Sequence, residues 1–191
     1  MGWIIFAVLG GIFIVLLLIA VGMYNTLVRR RIDVDNAWSQ IDVQLKRRYD
    51  LIPNLVETVK GYAGHEKQTL EAVINARARA SAVPAGAAHA GEHAAAEGML
   101  TQALGRLFAL SEAYPDLKAN TNFAQLQEEL TSTENKIGFS RQHYNDTVGR
   151  YEESRQAFPT NIVAAAFNFE KREYFKTELA AEREAPKVSF S

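Results

Sequence analysis

The residues best placed to do chemistry are His89-Ala90-Gly91-Glu92-His93, which fit the H-x-x-E-H pattern of inverted zinc proteases. That chemistry needs a rigid helix to aim two imidazoles at one metal, a carboxylate set as general base, and a third ligand from elsewhere. Here the five residues lie in an alanine- and glycine-rich stretch, 82–98, with glycine at a central position and no downstream acidic residue singled out as third ligand. A chance match in a biased segment explains them better than catalytic zinc. Ser39, Asp42 and His65 supply the residue types of a hydrolytic triad, but no Gly-x-Ser-x-Gly elbow or oxyanion-forming loop supports them. A phosphate-cradling glycine loop is also absent. The expectation is a non-enzyme: no catalytic, cofactor-binding or metal-ligating residue, no cofactor, no nucleic acid and no small-molecule substrate.

Three other groups of side chains invite a functional reading. Trp38 lies in an apolar helical seam, where core burial is the first expectation and an aromatic anchor for a partner the second. Arg29-Arg30-Arg31 and Lys46-Arg47-Arg48 place six positive charges near the N-terminal apolar stretch, diluted by Asp33, Asp35, Asp42 and Asp50. They read as a topology signal followed by a solvated helix face, with contact to anionic headgroups as the alternative. The acidic positions Glu128, Glu129 and Glu134 read as solvated surface, open to the basic face of a neighbouring subunit.

The element that sets the address of all these is the N-terminus. Met1 to Met23 contains no charged side chain and is apolar on every face. Its length suits the hydrocarbon core of a bilayer, and a helix with no polar stripe has lipid as its natural solvent. The basic n-region of a signal peptide is missing and Ala20-Val21-Gly22 is a weak cleavage match, so a retained transmembrane anchor is expected. The arginine triplet after the span predicts an N-terminus outside and residues 29–191 in the cytoplasm. Gly10 and Gly11 permit close helix approach but lack small-xxx-small spacing. Over the whole chain, 21 Lys+Arg against 22 Asp+Glu create no field that selects nucleic acid, and the absence of cysteine removes disulfides and thiolate chemistry.

Beyond the span nearly everything reads as helix. From Val34, apolar residues fall at Trp38, Ile41, Leu45, Tyr49, Ile52, Val56, Val59 and Ala63, steps of three and four. Pro53 inside that stripe predicts a kink near Asp50–Pro53, and Gly61 and Gly64 end the element. A second helix from His65-Glu66 carries Leu70, Val73, Ile74 and Ala78 and stops at Pro84 and Gly86. Residues 82–98 hold no large side chain to bury and predict a mobile connector or a fraying helix start. The pattern returns at Met99, Leu100, Ala103, Leu104, Leu107, Phe108 and Leu110, and Tyr114-Pro115 ends it. Asn122 with Gln125 predicts a capping box opening the longest helix, whose seam runs Phe123, Leu126, Leu130, Thr133, Ile137, Ser140, Tyr144, Val148, Tyr151 up to Phe158. After Pro159 comes a short apolar helix with Phe167, Phe169, Tyr174 and Phe175, suited to docking on the bundle or the bilayer surface. Strand signals are poor.

The expected fold is therefore all-α: an N-terminal transmembrane helix, an antiparallel up-and-down four-helix bundle with long helices, and a short C-terminal amphipathic helix. The expected domains are an anchor over 1–28, the bundle over 29–159 with connector 82–98, and the terminal helix and tail over 160–191.

Several motifs resemble the bacterial LemA family: Tyr24-Asn25-x-Leu27-Val28, Ala37-Trp38-Ser39-x-Ile41-Asp42-Val43-Gln44-Leu45-Lys46-Arg47-Arg48-x-Asp50-Leu51-Ile52-Pro53-Asn54-Leu55-Val56, and Tyr114-Pro115-Asp116-Leu117-Lys118-Ala119-Asn120. Thr133-Glu134-Asn135, Tyr144-Asn145, Phe158-Pro159 and Pro186-Lys187-Val188-Ser189-Phe190 follow in family order. Departures are the alanine-rich 82–98, Tyr151-Glu152 where a second Tyr-Asn is common, and Ala165-Ala166 in place of a bulkier stretch. The resemblance implies a single-pass inner-membrane protein with a helical bundle, linked by association to membrane stress proteases and to the shaping of internal membranes, with no known catalytic residue. The functional expectation is a self-associating, non-enzymatic scaffold bound to membrane lipid. The alternative is a regulator or substrate adaptor of a membrane protease.

Overall fold

A computed structural model describes residues 1–176, and these are helical almost throughout, with no strand among them. Six helices succeed one another: α1 (Gly2–Tyr62), α2 (Lys67–Ala82), α3 (Ala90–Ser111), the single turn α4 (Pro115–Lys118), α5 (Thr121–Gln156) and α6 (Thr160–Ala166), with a 3₁₀ turn at Ala87–His89 before α3.

α1 joins the apolar stretch to the bundle without a break. At 1.5 Å per residue its 61 residues span about 90 Å. Its first third is exposed on all sides and holds, among the described residues, the one helical window long and apolar enough to cross a membrane, with mean hydropathy 3.3. Burial starts at Leu27 and repeats at Val34, Trp38, Ile41, Leu45, Ile52, Val56 and Val59, the predicted stripe. The helix continues through Pro53, near which a kink was expected. Proline removes the amide that would bond the Tyr49 carbonyl, and Arg77 of α2 takes that carbonyl instead, Nε donating at 2.7 Å.

α5 runs antiparallel to α1. Asn120 meets Tyr62 at one end, Glu134 meets Arg48 in the middle, and Tyr144 meets Trp38 towards the other end. α2 and α3 form the other hairpin and close the four-helix bundle. The helix cap of α5 lies two residues earlier than the capping box predicts. Asn120 is the N-cap, its side chain accepting from the Phe123 amide at 3.0 Å. On α2 the buried face is Leu70, Val73, Ala76 and Ala80, whereas Ile74 and Ala78 point to solvent.

The stretch expected as a connector is packed helix from Ala90 onward. Alanine is the strongest helix former, so a stretch without large side chains still folds as helix. Ala90, Ala94 and Ala96 are buried, as are His93 and Glu97. Only the turn before it bends, at Gly86, whose φ of 125° is one that L side chains rarely adopt.

Buried apolar residues form two clusters. One, nearer the span, gathers Leu27, Trp38, Ile41, Tyr144, Tyr151, Phe169 and Phe175. The other, at the far end, gathers Ile52, Leu55, Leu70, Val73, Leu100, Leu107, Phe123 and Leu130. The Pro186–Phe190 motif lies outside the described residues.

Candidate functional site

Between the two clusters lies a polar layer. Arg48, expected on a solvated basic face, is 3% exposed. Its guanidinium donates to Glu97 at 2.9 Å and to Thr101 at 2.8 Å on α3, and pairs with Glu134 on α5 at 2.9 Å. Tyr49 donates its hydroxyl to the other oxygen of Glu97. One side chain of α1 thus ties three helices, and Glu134, partly exposed as expected, also meets Arg48 of its own chain. Its neighbour pair Arg47–Glu129 sits half-exposed on the surface. Burial raises the Glu97 carboxyl above the usual carboxylate range, with the Arg48 charge offsetting part of the effect. Burial and then the Glu97 charge push the Tyr49 hydroxyl well up, so it remains a donor. A cavity of about 220 Å³ opens beside the layer, walled by Leu104, Phe108 and Leu130. With both Glu97 oxygens committed to protein partners, the layer fixes charge rather than offering a base or nucleophile.

Towards the span, the chain after α6 crosses the bundle as an extended strap, 169–176. It is set up by the end of α6, where Asn168 adopts φ 52°. The Phe169 amide donates back to the Ala164 carbonyl at 2.9 Å and the Asn168 amide to Ala165 at 3.4 Å, a Schellman stop that asparagine tolerates. α5 then receives the strap on two pairs seven residues apart, hence on one helix face. Tyr144 donates to the Glu173 carbonyl at 2.7 Å, while Asn145 accepts from the Phe175 amide at 2.9 Å and donates to its carbonyl at 3.1 Å. Tyr151 donates to the Glu170 carbonyl at 2.7 Å, and Glu152 accepts from the Arg172 amide at 2.9 Å. The Tyr-Glu departure from the Tyr-Asn pattern therefore keeps the acceptor and loses the donor. Burial pushes Tyr144 and Tyr151 up, so both hydroxyls stay protonated. For Glu152 burial pulls upward, but hydrogen bonds from Arg155, the Arg172 amide and Gln156 hold it below its usual value.

Trp38 lies beneath the strap, its ring centroid 5.0 Å from His93, 5.4 Å from Tyr144 and 6.1 Å from Phe175. It is core, as its seam position predicts. The H-x-x-E-H residues divide between two environments. His89 pairs with Glu92 at the surface, 3.2 Å apart, while His93 turns inward with Nε2 3.2 Å from the Pro84 carbonyl. Burial lowers the His93 pKa and keeps it neutral. Among the described residues, no three His, Cys, Asp or Glu side chains gather as metal ligands. Nor does the fold assemble the paper triad: Ser39 bonds the Asp35 carbonyl within α1, and His65 follows the far end of that helix.

Arg48, Tyr49 and Glu134 of the layer and the strap anchor Tyr144-Asn145 lie in stretches that carry the resemblance, whereas Glu97, Thr101 and Tyr151-Glu152 lie outside them. The LemA family profile matches residues 37–190. The chain belongs to the LemA family. Similar proteins include Protein LemA of Metamycoplasma hominis, 29% identical over 144 residues, covering 75% of this chain and 64% of that protein. Magnetosome protein MamQ 2 of Paramagnetospirillum magneticum is 26% identical over 181 residues, covering 83% of this chain and 66% of its own. Magnetosome protein MamQ of Magnetospirillum gryphiswaldense is 25% identical with the same coverage. The chain spans just under two thirds of the length of these relatives. Within this LemA-type bundle, sequence reasoning located Trp38 and the helix seams but missed the strap and the buried role of Arg48. The spacing of Tyr144-Asn145 and Tyr151-Glu152 was the available signal for the strap.

Proposed function

We propose that this protein is a non-enzymatic scaffold that a single span holds at the inner membrane, with its N-terminus outside and its bundle on the cytoplasmic face. The observation that carries this reading is the continuity of α1: one helix serves both as candidate span and as the bundle's central element. Burial starting at Leu27 leaves no linker between them, so the bundle is carried at a fixed height against the bilayer. The arginines 29–31 that follow the span support the cytoplasmic side. Self-association is favoured by large apolar side chains left outward on the bundle. Phe139 on α5 is 74% exposed and Val43 on α1 63%.

In-cell crosslinking of the full chain with mass spectrometry tests this. The scaffold reading predicts that the most abundant crosslinks join copies of this chain through α5 and α1, around Phe139 and Val43. A bare monomer at high membrane density would overturn self-association. Stoichiometric recovery of one membrane protease in place of self-crosslinks would replace the scaffold with an adaptor.

A further inference from the structure

The end of the bundle nearest the span carries an apolar rim that no described residue covers. α6 packs Val163 and Ala164 into the core beside Leu27. Its other side and its flanks are exposed: Ile162 at 60%, Phe167 at 62% and Phe158 at 81%. Of these three, Phe167 reaches the point where the apolar stretch of α1 ends. The Phe167 ring stands edge-on to Tyr24 at 4.9 Å, and Tyr24 also touches Phe169 at 5.6 Å. Tyr24 itself follows directly on the uncharged stretch that closes at Met23.

We propose that α6 with Phe158 and Phe167 is a second membrane contact, an apolar collar that seats in the headgroup–acyl boundary of the leaflet from which α1 emerges. This rests on the anchor reading of residues 2–22. Two observations select lipid as the occupant. The rim is continuous with the span through the Tyr24–Phe167 contact, so a bilayer that surrounds residues up to Gly22 already reaches it. Its surroundings also carry the charge that anionic headgroups attract. Arg29, Arg30 and Arg31 stand one to two turns further along α1, with Arg31 over the Phe169 ring at 5.5 Å, and the first and last turns of α6 hold no acidic residue. Phe and Ile at the boundary, with arginine above them in the headgroup layer, match the composition of interfacial helices. The short helix would add little binding alone; attached to a span, it sets the tilt of the bundle instead.

The chain contains no cysteine, so single introduced cysteines report one position each. Full-length protein would be reconstituted in vesicles of phosphatidylcholine with a minor share of phosphatidylglycerol. An environment-sensitive fluorophore would be placed at Leu17, Phe139, Ile162 or Phe167 in separate preparations. Nitroxide lipids labelled at headgroup depth should quench the labels at 162 and 167 about twofold and leave 139 unchanged. Nitroxides at the bilayer centre should quench 17. Quenching at 17 without quenching at 162 and 167 would overturn the collar while leaving the anchor intact; loss at all three would sink the anchor reading itself. Energy transfer between 162 labels on different copies, in place of lipid quenching, would assign the rim to a second copy and also overturn the collar. As a variant control, Ile162→Glu with Phe167→Glu should abolish headgroup quenching of a label at Phe158 and leave the label at 17 unaffected.

Discussion

The half of the bundle near the span and the half far from it are held by different means. The far half is mainly aliphatic: Ile52, Leu55, Val59, Leu100, Leu104 and Leu107 fill it, and helix meets helix directly. The near half is aromatic and includes a non-helical element. Trp38, Tyr144, Tyr151, Phe169 and Phe175 fill it, and the strap is bonded to α5 by side chains that meet its backbone groups. Aliphatic burial stabilises in proportion to area and is tolerant of direction. Tyrosine and asparagine bonds to a backbone choose one arrangement. The half beside the bilayer is thus the one whose geometry is specified, and the polar layer around Arg48 stands between the two.

Removing one member of the Arg48–Glu97 pair should be the most damaging change. Arg48→Ala leaves the buried Glu97 carboxyl without its cationic partner and should cost about 3–5 kcal/mol, read from thermal or denaturant unfolding of the full chain in micelles. Glu97→Ala should cost less, because Arg48 keeps Glu134 and Thr101. The double change Arg48→Met with Glu97→Met should lose less than either single one. Losses that simply add would show that the pair does not couple the halves.

A milder change separates the halves. Tyr144→Phe deletes the hydroxyl that holds the Glu173 carbonyl and should cost about 1–2 kcal/mol. Hydrogen exchange should quicken in residues 169–175 while Ile52–Val59 stays protected. Equal loss of protection in both regions would erase the distinction drawn here.

Protonation offers a gentler probe. His93 is held neutral by burial, so its folded pKa lies below the usual 6.5. Below about pH 6.5 the unfolded chain takes up a proton that the folded one refuses, and stability falls as pH drops through that range. Glu97, raised by burial, acts in the opposite sense, its contribution falling as pH rises through the window above its usual value. The difference between the protein and His93→Gln isolates the histidine: the variant should lose less stability between pH 7 and pH 5.5, measured by thermal unfolding. The smallest effect belongs to Arg47→Ala, whose half-exposed partner Glu129 makes a surface pair worth less than about 1 kcal/mol.

The far half was legible in the sequence because its residues repeat at helical spacing. Steps of three and four from Ile52 to Val59 and from Leu100 to Leu107 map directly onto buried faces. The alanine-rich segment was misread because burial was sought in large side chains. Here small alanines fold as helix, and the longer side chains of His93 and Glu97 between them reach across to Trp38 and Arg48. Arg48 itself looked like surface, since charge in a basic run gives no local sign of the carboxylate that folding brings from α3. The strap has no periodicity at all, and its only traces are the residues on α5 that hold it. At Pro53 nothing in the sequence signals the tertiary donor: Arg77 bonds the Tyr49 carbonyl that the missing amide cannot.

The continuity of α1 from span to bundle is most directly tested by the distance between spin labels on cysteines introduced at the exposed positions Asn25 and Glu57, with the full chain in lipid nanodiscs. An unbroken helix predicts one narrow distribution near about 48 Å. A broad or clearly shorter distribution would mean a hinge between membrane and bundle, and the bundle would no longer be held at a fixed height above the bilayer.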